Sequence, residues 1–220
     1  MTRVAIFDCD GTLVDGQANV CEAMEEAFAA CSLAAPPRTL IRRAVGLSLP
    51  QAMALMLPGS TAEQQELLAE SYRIAFREHR RLGRINEPLF DGIAPLLNRL
   101  HANGWQLAVA TGKSRRGLQH CLETHGIAHL FGSLQTADDH PSKPDPAMIA
   151  AVLWETDLEP ANAVMIGDTS FDMAMAGAAG VRAIGVDWGY HHAEELLATG
   201  AEAVAETVEE LGLMLEDADG

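Results

Sequence analysis

The sequence of 220 residues predicts an α/β protein, a doubly wound parallel sheet carrying a small all-helical domain inserted after its first strand. Three observations carry that expectation. After Pro88, short apolar runs alternate with helical patterns, the rhythm of strands joined by crossover helices. Residues 17 to about 87, by contrast, show almost only helical periodicity. Charge divides along the chain in the same way. Of 15 basic and 31 acidic residues, 8 of each lie between Gly16 and Glu87, which leaves 15 − 8 = 7 basic against 31 − 8 = 23 acidic elsewhere and so the whole net charge of −16. The expected organisation is an α/β core of residues 1–15 and 88–220 and a helical cap domain at 16–87.

Val4 to Phe7 reads as a short, fully buried strand that runs straight into Asp8-Cys9-Asp10-Gly11-Thr12. Val20, Met24, Phe28 and Cys31 then recur at helical spacing, with Glu22, Glu25 and Glu26 on the other faces. Pro36-Pro37, Gly46 and Pro58-Gly59 break the insertion into separate helices. Thr61 with Gln64 forms a capping-box pattern and opens a long helix with Leu67, Leu68, Tyr72 and Ala75 as its apolar stripe.

In the core, helix 93–103 stops at Asn103-Gly104 and strand 106–110 runs into Thr111-Gly112. Helix 114–125 stops at Gly126, and a weaker strand is expected near 134–137. Helix 146–156 precedes strand 163–166, which ends at Gly167-Asp168. Helix 171–179 stops at Gly180; strand 181–186, a short strand near 203–205 and a C-terminal helix follow.

Composition excludes several classes. With 48% apolar and 21% charged residues the chain can bury a core. No apolar run reaches the ~18 residues of a membrane span, and the apolar stretch at the N-terminus ends after Phe7, too soon for a signal peptide. A cytoplasmic protein with no membrane partner is expected. The net charge of −16 disfavours nucleic acid and anionic lipid as partners. Cys9, Cys21, Cys31 and Cys121 have no metal-ligand spacing and read as reduced, mostly buried thiols.

Ligands of an open α/β sheet bind beyond the carboxyl ends of its strands. Three expected strands end in groups fit for chemistry: Asp8 and Asp10, Thr111-Gly112, and Asp168. Asp8 and Asp10, two apart on an extended segment, point into one space, and Cys9 points elsewhere. Such close carboxylates repel unless a cation or a shared proton intervenes. Asp168, and Asp172 one helical turn later, complete a set of hard oxygen ligands suited to Mg²⁺. Singly, Asp10-Gly11 could be only a turn and Asp168 only a cap; agreement across three strands favours a site.

Lysine is scarce, with thirteen arginines but only Lys113 and Lys143. Lys113 follows Thr111-Gly112 and reads equally well as a solvated residue at a helix start. Lys143, in Pro141-Ser142-Lys143-Pro144-Asp145-Pro146, has its backbone fixed by prolines on both sides. A lysine among carboxylates would neutralise a nucleophilic aspartate and a phosphoryl group together.

The segments FDCDGTLVDG (7–16), VATGKS (109–114), SKPDP (142–146) and GDTSFDM (167–173) resemble the four ordered motifs of the haloacid dehalogenase-like (HAD) hydrolases. The likeness spans essentially the whole chain and is greatest to the phosphoglycolate phosphatase branch with a helical cap. The tail VRAIGVDWGYHHAEELLATGAEAVAETVEEL fits the same branch. The resemblance implies a Rossmann-like core and an Mg²⁺-dependent phosphatase of a small phosphorylated metabolite, with 2-phosphoglycolate the leading guess. It implies Asp8 as nucleophile forming an aspartyl-phosphate, and Asp10 as the acid and then the base. Mg²⁺ would be held by Asp8, the backbone carbonyl of Asp10 and Asp168, with Asp172 in support. Thr111 and Gly112 would grip the phosphoryl oxygens, Lys143 would orient Asp8, and the cap would close over the substrate. Asp10 points to phosphoryl chemistry, since halide leaves without a proton.

Other readings stay open at this stage. A sugar phosphomutase or a pyrophosphatase could use the same core. A receiver-like phospho-acceptor module is shorter and lacks the insertion. In the insertion, Arg42 and Arg43 are candidates to meet a second anionic group, although an ordinary charged face explains them too. Arg77, Arg80, Arg81 and Arg84 read as solvated or dipole-facing, and Met53, Met56 and Leu57 as core. His191-His192 could reach the site rim but show no zinc spacing. A monomer or homodimer is expected.

Overall fold

The computed structural model describes residues 2–216. One six-stranded parallel sheet has the order β3-β2-β1-β4-β5-β6. The strands are β1 Val4–Phe7, β2 Gln106–Thr111, β3 Phe131–Thr136, β4 Ala163–Gly167, β5 Arg182–Val186 and β6 Ala203–Ala205. Val4 pairs with Gln106 of β2 on one side and Ala163 of β4 on the other, so the winding reverses at β1. That reversal is the switch point where a crevice opens.

Helices cover both faces of the sheet, which is why β1 is apolar at every position. Ala5 and Phe7 pack with α5 (Ile93–Ala102), α6 (Arg115–Thr124) and α10 (Val208–Glu216). Val4 and Ile6 turn the other way, toward α7 (Ala147–Thr156) and α8 (Ser170–Ala178).

Between β1 and α5 lie α1 (Gln17–Ala30), α2 (Arg38–Arg43), α3 (Leu49–Met56) and α4 (Ala62–Arg81). They share a separate apolar cluster that includes Val20, Met24, Phe28, Ile41, Met53 and Leu68. The two ends of this insertion run side by side: the Asp15 N–H donates to the Pro88 carbonyl at 2.9 Å, and Val14 bridges Leu89.

Several local expectations change. Thr61 and Gln64 do form a reciprocal capping box, but Leu67 is 62% exposed. The inward stripe of α4 instead follows Leu68, Tyr72 and Phe76, each one turn apart, because a residue next to the stripe is rotated by ~100°. β3 starts at Phe131, earlier than the expected 134, since its exposed Gly132 hides the alternation. A short helix, α9 (Ala193–Thr199), was not expected after β5. Its signals were Glu194 and Glu195 in the first turn and Gly200 closing it at φ 114°.

Candidate active site

The site is assembled at the carboxyl ends of three adjacent strands. Asp8 follows β1, Thr111 ends β2 and Asp168 follows β4. Asp172 lies in the first turn of α8, where Thr169 and Asp172 cap each other: the Thr169 N–H and hydroxyl donate to Asp172 Oδ2 at 3.1 and 2.6 Å. Asp8, Asp168 and Asp172 are fully buried, and one carboxylate oxygen from each lies within 4.8 Å of the others.

Every oxygen of this trio is held except one. Asp168 Oδ1 accepts from the Thr12 hydroxyl at 2.8 Å and Oδ2 from the Tyr190 N–H at 2.9 Å. A Cβ on Gly11 or Gly189 would collide with the Asp168 carboxylate, so both loops need glycine to close around it. Lys143 Nζ donates to Asp172 Oδ1 at 2.6 Å and lies 3.0 Å from Asp8 Oδ1, which also accepts the Cys9 N–H at 2.7 Å. Asp8 Oδ2 is buried without a hydrogen-bond partner.

Charge explains how such a cluster can exist and what it lacks. Burial, partly offset by the Lys143 charge, raises the Asp8 pKa from 3.8 to about 6. Burial and the charges of Asp8 and Asp172 raise Asp168 as well. For Lys143, burial opposes the charge, but Asp172 and Asp8 outweigh it and keep the ammonium protonated. Three carboxylates around one ammonium, fully ionised, leave two negative charges uncompensated in a buried space. The all-oxygen donor set and the orphaned Asp8 Oδ2 fit a hard divalent cation.

The Asp10 carboxylate stands apart from that group. Its Oδ1 accepts from Lys113 Nζ at 2.6 Å, and Lys113 also donates to Glu87 Oε1 at 2.8 Å. The Lys113 side chain is only 9% exposed, so the reading of it as a solvated residue is corrected. Burial would lower its pKa, yet Asp10 and Glu87 raise it well above the usual value.

Above the carboxylates lies a cavity of about 390 Å³ lined by Asp8, Asp10, Thr111, Gly112 and Lys113 from the core and by all four helices of the insertion. The insertion sits directly on the core. The Ser48 N–H donates to the Ser142 hydroxyl at 2.7 Å, beside Lys143. Arg43 donates twice to Glu195 at 2.9 Å, and neither Arg42 nor Arg43 lines the cavity. His191 is buried; Nδ1 accepts from the Ser170 N–H and Nε2 donates to the Arg43 carbonyl at 3.3 Å. Burial lowers the His191 pKa, and His192 is an exposed residue before α9. Arg77 and Arg80, read as solvated or dipole-facing, also line the cavity with Arg73; Arg77 is exposed and Arg80 lies in the last turn of α4.

Gly112 marks the closest approach of the insertion to the core. A Cβ there would come within 2.6 Å of the Gly46 carbonyl oxygen, so only glycine fits beneath this loop. Gly112→Ala is expected to push the loop off the core and lower kcat/KM by at least about tenfold, mostly through KM. Unchanged steady-state kinetics for this variant would contradict the tight approach.

Glu87, Thr12, Thr169 and Tyr190 had no assigned role from sequence. The Thr169-x-x-Asp172 capping pattern was readable; nothing local pointed to Glu87, which meets Lys113 from 26 positions away.

The family model for haloacid dehalogenase-like hydrolases matches residues 5–186, most of the chain and every residue of the carboxylate trio. The chain belongs to the haloacid dehalogenase-like hydrolases. A protein named "Probable phosphatase IndB" of Dickeya dadantii (strain 3937) is 33% identical over 214 residues, covering 96% of this chain and 92% of that protein. A phosphoglycolate phosphatase of Vibrio cholerae is 28% identical over 219 residues, covering 97% and 96%. A crystal structure of a predicted phosphatase from Clostridium acetobutylicum superposes with a TM-score of 0.88 at 24% identity and covers 98% of each chain, a likeness of fold.

Proposed function

We propose that this hydrolase, an enzyme acting on phosphoric monoesters, is an Mg²⁺-dependent phosphatase of a small phosphorylated metabolite. The observation that carries the reading is Asp8, which lines the cavity, is held on Oδ1 by Lys143 and Cys9, and keeps Oδ2 without a partner. Asp8 Oδ2 attacks phosphorus as the bond to the ester oxygen breaks, and Asp10 gives that oxygen its proton. Asp10 then takes a proton from water, whose oxygen attacks the aspartyl-phosphate, frees inorganic phosphate and restores Asp8. The Thr111 hydroxyl and Gly112 N–H hold phosphoryl oxygens, while Lys143 keeps Asp8 in line and offsets its charge. Asp8, Asp168 and the backbone carbonyl of Asp10, with Asp172 in support, would hold Mg²⁺, which supplies neutralisation of charge on the phosphoryl group. The helical insertion acts as a cap that excludes bulk water during transfer.

The compound named for the Vibrio cholerae relative, 2-phosphoglycolate, is the reference substrate to try first. The four free cysteines support a reducing compartment, the cytoplasm.

The test is phosphate release from a panel of 2-phosphoglycolate, sugar phosphates, nucleotides, pyrophosphate and an aryl phosphate. Excess EDTA is expected to abolish release and added Mg²⁺ to restore it. Full activity in a verified metal-free sample would reject the Mg²⁺ requirement. Phosphoryl transfer to Asp8 without release of phosphate would favour a mutase.

A further inference from the structure

Helix α4 provides a scale for what lies beyond the phosphoryl grip. Tyr72, Phe76 and Arg80 follow one another at single-turn spacing, and all three line the cavity. The Tyr72 and Phe76 rings meet tilted by 38°, 5.7 Å between centroids, and the Arg80 guanidinium lies 5.5 Å from the Phe76 centroid. Tyr72 lines the same cavity as Asp10 and Lys113; burial first, then the charge of Asp10, raises its pKa against the opposing Lys113 charge. From Tyr72 to Arg80 is eight residues, about 12 Å along the helix. A two-carbon leaving group is shorter than a single turn of helix, about 5.4 Å.

Val20, Met24 and Ile41 from α1 and α2 add apolar lining to the same cavity. A carboxylate set among them would lose water without gaining a partner. The arginines along this helix are unequal. Arg73 is taken up by Glu66 and Glu70, and Arg77 by Glu70. Arg80 makes no ion pair among the described residues, and its Nε is buried without a hydrogen-bond partner. The volume of about 390 Å³ falls in the range that encloses ligands of drug size, about 300–1,000 Å³.

Resting on the phosphatase reading of the site, we infer that its preferred substrate is a phosphomonoester whose leaving group has a flat, largely apolar ring against Phe76 and an anionic or hydrogen-bond-accepting group at the far end, where Arg80 receives it. Arg80 is then a specificity-determining residue, and glycolate is too short to use it.

Three esters of primary alcohols keep the leaving-group chemistry comparable: 2-phosphoglycolate, benzyl phosphate and 4-carboxybenzyl phosphate. The expected kcat/KM for benzyl phosphate exceeds that for 2-phosphoglycolate by about tenfold or more, as burial of a ring in an apolar pocket implies. The para-carboxylate adds about another tenfold. Arg80→Gln brings the ratio of carboxybenzyl to benzyl phosphate down toward one. Arg81→Gln, at an exposed site paired with Glu78, preserves that ratio. A preference for 2-phosphoglycolate over both benzyl esters, or a ratio that Arg80→Gln leaves in place, overturns the inference while the phosphatase reading stands. Absence of phosphate release from these esters and from the whole panel would overturn both.

Discussion

Asp8→Asn is expected to lower phosphate release by about a thousandfold or more and to leave the fold intact. The amide cannot act as nucleophile, yet it has the shape of the carboxylate and can still accept the Cys9 N–H on its oxygen. It also removes one charge from a buried group that holds an excess of them. The sign of the stability change follows from the Asp8 pKa, raised by burial from 3.8 to about 6. Between those values the folded, metal-free chain binds more protons than the unfolded one, so stability falls as pH rises through this window. Asparagine does not titrate. Metal-free Asp8→Asn is therefore expected to match the parent near pH 4 and to exceed it at pH 7, by on the order of a few kcal/mol. Thermal melting in EDTA at both pH values measures this; a variant less stable than the parent at pH 7 would contradict the burial argument. Residual hydrolysis above a few per cent would remove Asp8 from the nucleophile's role.

Lys143→Met is expected to be costly in both respects. Its ammonium is fully buried and touches Asp172 and Asp8. Methionine fills most of the space and leaves the carboxylates without their internal cation. Breaking a buried pair in this way destabilises by about 3–5 kcal/mol, or a fall in Tm of roughly 6–20 °C for a chain of this size. The loss should be greatest at pH 7 in EDTA and shrink at pH 5, where protonation relieves the repulsion between the carboxylates. Turnover should fall by about a hundredfold or more, the scale of losing one charged group beside the transferring phosphoryl. A Tm deficit independent of pH and metal would mean that Lys143 acts through packing alone.

The sheet was legible because a strand covered on both faces is apolar throughout and stops at a polar end. Val4–Phe7 and Ala163–Gly167 show this directly, and Asp8 and Asp168 mark their ends. Spacing within motifs also exposed Asp172, one turn from Asp168. The parts that stayed hidden depend on contacts far apart in sequence. Lys113 reaches Asp10 across 103 positions, and no local pattern distinguishes that from a solvated lysine. Arg80 reads from sequence as solvated or dipole-facing, because charge on a helix face says nothing about the cavity it lines. The register of α4 had the same difficulty: Leu67 and Leu68 are equally apolar, and only packing against α1 chooses between them.

The uneven balance among Asp8, Asp168, Asp172 and Lys143 also sets an order of arrival. A phosphate monoester at neutral pH brings close to two negative charges of its own to a space that, ionised, already has two in excess. Like charges a few ångströms apart repel by several kcal/mol even at an effective dielectric constant near 20. On the proposed Mg²⁺-dependent reading, the ester would meet like charge in the bare pocket and is expected to enter productively only after the cation. Raising the ester concentration alone would then not substitute for that first event.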